Sequence, residues 1–250
     1  MAENTEIVEK KATFSEVLTT SLTDVKDGLP ADFNITRFVQ NGIALLNGNE
    51  ALQKFSMQHG SGQIKSGLMR AAFLGLDALN SECHLVPYGN TLNFSVDYRG
   101  DMKLIKKYSV RPVLDVYAKL VRQGDDFRLY IKDGKQTFDF TPKPFNDGAI
   151  IGAFAVILYK DVGLDIEEMS VKELEKVRSK SKMSNGMAWK DFTGEMYKKT
   201  VIHRIKKKAT IEFENPLQKE YWEEEMQINT GREKVEVPDI DDENIIDEVE

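Results

Sequence analysis

The feature that most narrows the fold is a dipeptide. In "DFRLYIKDGKQTFDF" the pair Asp133-Gly134 stands between two short runs rich in aromatic and branched residues. Asp-Gly in that setting joins antiparallel strands through a tight turn. Two more runs of strand character enclose this hairpin, "RPVLDVYAKLV" before it and "GAIIGAFAVILYK" after it, with "RQGDD" and a Pro-rich loop as breaks. Four strands following one another in this way are expected to form an antiparallel meander.

Helical patterns lie on both sides. "ATFSEVLTTSL", "PADFNITRFVQNGIALLN" and "SGQIKSGLMRAAFLGLDALN" carry apolar residues at helical spacing, punctuated by Gly and Asn. In "HLVPYGNTLNFSVDYRG", Pro87 and Gly89 bend the chain, "TLNFSVD" alternates as a half-buried strand does, and "MKLIKKY" suits a short helix. After the strands, Ser170 with Glu173 three residues on has capping-box spacing. A loop, "SKMSNGM", then leads to one long helix, "AWKDFTGEMYKKTVIHRIKKKA". The expected class is α+β: a helical N-terminal third, a central antiparallel β-meander, C-terminal helices including a long basic one, and a disordered acidic tail. The expected divisions are a flexible N-terminus over 1–12, a single α+β domain over 13–210 and the tail over 211–250.

Charge divides the same way. The 250 residues carry a net −7, yet the segment 211–250 holds 15 Asp and Glu against 3 Lys and Arg, and the remaining 210 residues hold 26 against 31. A mildly basic body with an acidic appendage fits a binder of polyanions. No apolar run approaches the ~18 residues a bilayer-spanning helix needs, so no membrane association is expected. The single cysteine, Cys83, reads as a buried thiol, and His59, His84 and His203 repeat at no metal-ligand spacing, so neither a metal nor another cofactor is expected.

The densest cationic stretch is "MYKKTVIHRIKKKAT", Met196 to Thr210. Six Lys and Arg fall within eleven residues, with no acid between Tyr197 and Thr210. Such a run is either a solvated helix face or a phosphate-binding one. On a helix, Lys199, His203 and Lys206 or Lys207 line one side. A second group, Arg99, Lys103, Lys106 and Lys107, falls on the helix expected after "FSVDY", beside Tyr98. Cations next to aromatics suit a groove that tracks a nucleic-acid backbone while bases stack.

"LVPYGNTLNFSVDYRGDMKLI", followed about ninety residues later by "WKDFTGEMYKKTVIHR", resembles the phage RecT family of single-strand annealing recombination proteins. The likeness rests on Val86 to Gly89, Tyr98 to Gly100, Trp189, Lys199 with Thr200, and Arg204, and it covers roughly residues 30 to 210. One departure is that His203 stands four residues after Lys199, where the family pattern has arginine, and Arg204 follows one later. One residue turns a helix by about 100°, so Arg204 points a different way.

The resemblance implies a protein that coats single-stranded DNA, anneals it without ATP and works as a homo-oligomeric ring or filament in the cytoplasm of a bacterial host. Its partners would be single-stranded DNA, the annealed duplex, and, through the acidic tail, a phage exonuclease and the host single-strand binding protein. No "GxxxxGK[ST]" occurs, and annealing requires neither a nucleotide-driven motor nor a catalytic residue. The expected phosphate contacts are Arg99, Lys198, Lys199 and Arg204, then Lys103, Lys106, Lys107 and Lys206. Tyr98 and Trp189 are candidates for stacking or for the core, and Gln63 and Lys65 for strand contacts. Two rivals remain: a metal-dependent nuclease using "ELEK" (Glu173 to Lys176) with Asp161 or Asp165, and a passive single-strand coat protein. The tail serves solubility, competition with DNA, or docking.

Overall fold

The computed structural model describes residues 12–181, 184–228 and 245–246. Where one domain over 13–210 is expected, the chain forms two compact units, one made of residues up to Asp97 together with those from Glu214 onward, the other of Tyr98–Phe213.

The first unit opens with a two-residue strand, β1 (Ala12–Thr13), and four helices: α1 (Phe14–Asp24), α2 (Ile35–Asn47), α3 (Glu50–His59) and α4 (Gly62–Leu74). Thr13 and Glu16 close a capping box on α1, satisfying backbone donors that no helical carbonyl reaches. Asn34 and Asn49 cap α2 and α3 in the same manner through their side-chain oxygens. A hairpin follows, β2 (Cys83–Tyr88) and β3 (Thr91–Val96), in which Pro87 lies within the strand opposite Leu92. The sequence places a bend there. Proline is tolerated because this sheet has only two strands, so an N–H on the outer edge has no ladder to feed. The hairpin lies close on α4: a Cβ at Gly67 would come within 2.3 Å of the Leu85 side chain, which would have to shift to make room.

The second unit begins with α5 (Tyr98–Tyr108) and continues through β4 (Val113–Arg122), β5 (Asp126–Lys132), β6 (Lys135–Thr141), β7 (Ile150–Tyr159) and β8 (Gly163–Ser170). All pairing among β4–β8 is antiparallel, as expected, but the strands do not run as one continuous ladder. The sheet order is β4-β7-β8, and β5-β6 is a separate hairpin, turned by Asp133 and Gly134, both at positive φ. β7 is central and nearly continuously apolar because both of its faces are covered. Ala153, Ala155, Ile157 and Tyr159 join one cluster, while Phe154 and Val156 join another with Val121 and Ile166. On that second face the Phe154 ring meets Phe127, Phe140 and Phe138 of the hairpin at centroid distances of 4.9, 5.1 and 5.4 Å.

Three helices complete this unit: α6 (Val171–Ser179), α7 (Met187–Asp191) and α8 (Thr193–Ile205). The one long helix expected here is divided at Phe192, whose φ and ψ of −125° and 39° end α7 and begin α8. Tyr197, Val201, Ile202 and Ile205 of α8 are buried with Ile105 of α5 against β4 and β7. These four positions make the apolar stripe of α8 and leave most of its lysines to the other faces.

The chain then supplies α9 (Pro216–Ile228) to the first unit. The acidic tail expected from residue 211 therefore starts later. Trp222 is buried, Gln218 donates to the Phe73 carbonyl at 2.8 Å, and Arg70 pairs with Glu224 at 2.8 Å. Most of the remaining tail lies outside the described residues, as do nearly all of residues 1–12; the described Ile245–Ile246 (β9) pairs in parallel with β1.

Candidate nucleic-acid interface

α5 and α8 lie on the same face of the β4-β7-β8 sheet and are registered by a buried charge cluster. Asp101, fully buried in the first turn of α5, takes the Lys206 ammonium on Oδ1 at 3.0 Å and faces His203 Nδ1 with Oδ2. Lys206 is 1% exposed. A pair this deep contributes little net stability, since desolvation cancels most of its attraction, but each charge depends on the other. Lys206 is thus an interior residue and not the phosphate contact expected from the sequence.

The cluster also fixes where other cations fall. Arg99 lies two residues before Asp101. Lys199 lies one helical turn before His203 and on its side of α8. Arg99 is therefore about 200° round α5 from Asp101, while Lys199 shares the His203 side of α8. Arg99 is exposed, with its guanidinium 5.8 Å from the Tyr98 ring centroid; Tyr98 itself is half-buried against the core. Lys199 is partly exposed, Lys103 exposed, and Lys107 sits 5.5 Å from the ring of Tyr108.

Several cations of these two segments pair with carboxylates, most of them brought from other elements of the fold. Arg204 Nε meets Glu167 Oε1 at 2.6 Å and its other arm reaches Glu173 at 3.7 Å. Lys208 meets the second oxygen of Glu167 at 2.8 Å and donates to the Ile166 carbonyl. Glu167 lies between Ile166, which faces the β5-β6 side, and Glu168. Its parity matches Met169, which faces α8, so strand alternation delivers it to the helix. Lys198 pairs with Glu195 at 2.6 Å and Lys106 with Asp115 at 2.7 Å, both partly exposed. The Lys106 bond holds the Asp115 carboxyl below its usual range.

Ten lysines and arginines stand on α5 and in 196–210, and these ion pairs bring five carboxylates to them. Exposed pairs are worth ~0 to 1 kcal/mol and exchange readily, so a phosphate can replace a carboxylate there; the Asp101 cluster cannot exchange without opening the core. The site therefore has a fixed interior and an exchangeable cationic surface.

The remaining expected residues fall elsewhere. Trp189 is 4% exposed in the core of the second unit, with the Arg178 guanidinium 5.6 Å from its ring, and is not available to stack on a base. Gln63 belongs to the first unit and ties α4 to the β2-β3 hairpin, accepting from Leu92 N–H at 2.8 Å and donating to the Asn90 carbonyl at 3.1 Å. Lys65 is half-buried on the same helix. In "ELEK", Glu173 caps α6 through Ser170 and meets Arg204, while Asp161 pairs with Arg111 and Asp165 accepts from the Tyr159 hydroxyl. These carboxylates do not converge, and no group of three potential metal ligands occurs among the described residues. Asp101, Glu167, Glu195 and Asp115 are the functional neighbours that sequence reasoning missed. Glu167 left a trace in the alternation of "GLDIEEMS", and Glu195 in its position three residues before Lys198.

Fold and site together define an α+β protein that carries a cationic pair of helices on one face of an antiparallel sheet. The RecT family model matches residues 36–240, and the chain belongs to that family. Among curated proteins, Protein RecT of Escherichia coli (strain K12) is 29% identical over 159 residues, which is 60% of this chain and 58% of that relative. The match thus spans somewhat over half the length of the curated relative. No helix among the described residues is long and apolar enough to cross a membrane.

Proposed function

We propose that this protein binds single-stranded DNA through the cationic surface of α5 and α8 and anneals complementary strands in homologous recombination, without a nucleotide cofactor and as a ring or filament of identical subunits. The observation that carries this reading is the registration of α5 against α8 by Asp101, His203 and Lys206, which sets two cationic segments distant in sequence side by side. Family membership supports the recombination role.

Annealing is downhill, since pairing and stacking of the bases supply the free energy. The protein has only to hold the sugar-phosphate and leave the bases accessible. Arg99, Lys198, Lys199 and Arg204 are the leading phosphate contacts, with Lys103, Lys106 and Lys107 beside them, and a phosphate takes the place of any exposed carboxylate such a cation holds. The acidic residues beyond α9 are a docking segment for an exonuclease or a single-strand binding protein, and removal of residues 236 to 250, which also removes the β9 pairing with β1, should abolish that recruitment.

The test is to mix two complementary oligonucleotides with purified protein and no nucleotide. Duplex formation faster than the protein-free rate supports annealing. A slower rate identifies a passive coat protein, and strand cleavage in magnesium or manganese identifies a nuclease.

A further inference from the structure

The break between α7 and α8 leaves one ring in solvent. Phe192 is 59% exposed and joins neither apolar cluster of its unit. Of the aromatic side chains on α5, on α7, on α8 and at that break, it is the exposed one: Tyr108, Trp189 and Tyr197 are buried and Tyr98 is half-buried. Nothing in the local fold calls for a ring there. Phe192 stands at the N-cap of α8, where Ser, Thr, Asp or Asn would satisfy a free backbone donor, and its side chain makes no capping bond. What it supplies to the helix is its carbonyl, which accepts from the Met196 N–H at 3.0 Å. An exposed apolar side chain is ordinary in itself, and its position decides what it can do.

That first bond puts the Cα of Phe192 on the α8 cylinder, so helical arithmetic applies to it. Lys199 follows seven residues later and His203 eleven. At about 100° per residue these two stand roughly 20° to either side of Phe192. Val201, fully buried, is nine residues on and therefore half a turn round. Phe192 thus heads the row of α8 that faces away from the core and contains Lys199. Along the axis Lys199 is about 10 Å further on, the length of roughly three nucleotides of a stacked strand. A flat apolar plate in line with a cation suits a ligand that carries flat bases beside its phosphates, and an unpaired nucleic-acid strand is such a ligand.

We infer that Phe192 stacks on an unpaired base of a strand whose phosphate Lys199 holds, and that this contact makes the site favour single strands over duplex. Phenylalanine has no donor or acceptor with which to read a base edge, so the contact accepts any base. In a duplex the base faces are covered by the neighbouring pairs, and the ring has no plate to meet. The inference deepens the function proposed above, since it rests on single-stranded DNA lying along α8.

The experiment measures binding of a labelled oligothymidylate, of an abasic strand of the same length and of a duplex by the full chain as wild type, Phe192→Ala and Phe192→Trp. Circular dichroism checks that each variant is folded. Phe192→Ala should bind oligothymidylate roughly five- to a hundredfold more weakly, as loss of one base-stacking ring does. Its log-log salt slope should stay that of wild type, because no phosphate contact is lost. Its affinities for the abasic strand and the duplex should also match those of wild type. Phe192→Trp should restore the affinity for oligothymidylate, and the emission it adds should be quenched by that strand and not by the abasic one. Wild-type affinity for oligothymidylate in Phe192→Ala overturns the stacking contact. So does an equal loss on the abasic strand, because the ring would then support the phosphate track, and so does unquenched emission from Phe192→Trp. A wild-type chain that binds no oligothymidylate sinks the function proposed above, whereas wild-type binding that Phe192→Ala leaves untouched sinks the stacking contact alone.

Discussion

α5 and α8 are both lysine-rich helices on the same sheet face, and they differ in where their buried charge goes. α8 and the turn after it carry six cations, and four of these are met by carboxylates: Lys198 by Glu195 of the same helix, and Arg204, Lys208 and Lys206 by Glu167, Glu173 and Asp101 from other elements. α5 carries four cations, one of which, Lys106, meets Asp115 of β4, and it directs its one buried acid, Asp101, to α8. The lesson is that the number of cations in a segment does not measure what a ligand meets. Availability is set by carboxylates that strand alternation and helix packing deliver from elsewhere.

The largest effect that would break this contrast lies inside it. Asp101→Asn removes the carboxylate that meets the buried Lys206 ammonium, and is expected to lower the unfolding free energy by about 3 to 5 kcal/mol in urea denaturation. The paired change Asp101→Leu with Lys206→Met should recover most of that loss, because a packed apolar pair replaces a desolvated ionic one. A recovered double variant and a damaged single one together show that the cluster registers the helices and does not by itself stabilise them.

Next comes the surface of α8. Glu167→Gln removes the carboxylate shared by Arg204 and Lys208, so single-stranded DNA should bind more tightly at low salt, with the log-log salt slope steeper by ~0.7 for each further phosphate neutralised. Weaker binding in that variant would mean that Glu167 positions the two cations for DNA and does not compete for them.

The smallest effect sharpens the α5 side. The Asp115 carboxyl is held below its ordinary value near 3.8, chiefly by its bond from Lys106. A depressed folded-state pKa contributes stability above the ordinary value and loses it as pH falls through the folded one. Between pH 5 and pH 3 the urea midpoint of Lys106→Gln should fall slightly less than that of wild type. The pair is partly exposed, so the difference should also shrink in high salt.

Much of the fold was legible where local chemistry dictates it. The Asp133-Gly134 turn, the Ser170-Glu173 capping box and the helix after Val96 all follow from nearest-neighbour geometry. β8 escaped because "GLDIEEMS" has few apolar residues, and it is a strand only because β7 pairs with it. Pro87 disguised β2, and the insertion of β5-β6 between β4 and β7 is a matter of layer packing that strand order in the sequence does not encode. At the site, the basic residues were visible and their partners were not. Asp101 and Lys206 are 105 positions apart, and nothing in a lysine-rich run distinguishes the one that turns inward. Trp189 followed the general tendency of large aromatics toward the core.

The central claim is that two adjacent helices jointly grip sugar-phosphate, and the most direct test is a salt titration of single-stranded DNA binding by wild type and by the Arg99→Ala, Lys199→Ala double variant. The account predicts weaker binding and a log-log slope shallower by ~1.4, twice ~0.7 for one phosphate each, with the unfolding midpoint unchanged. A folded double variant with the wild-type slope would contradict it.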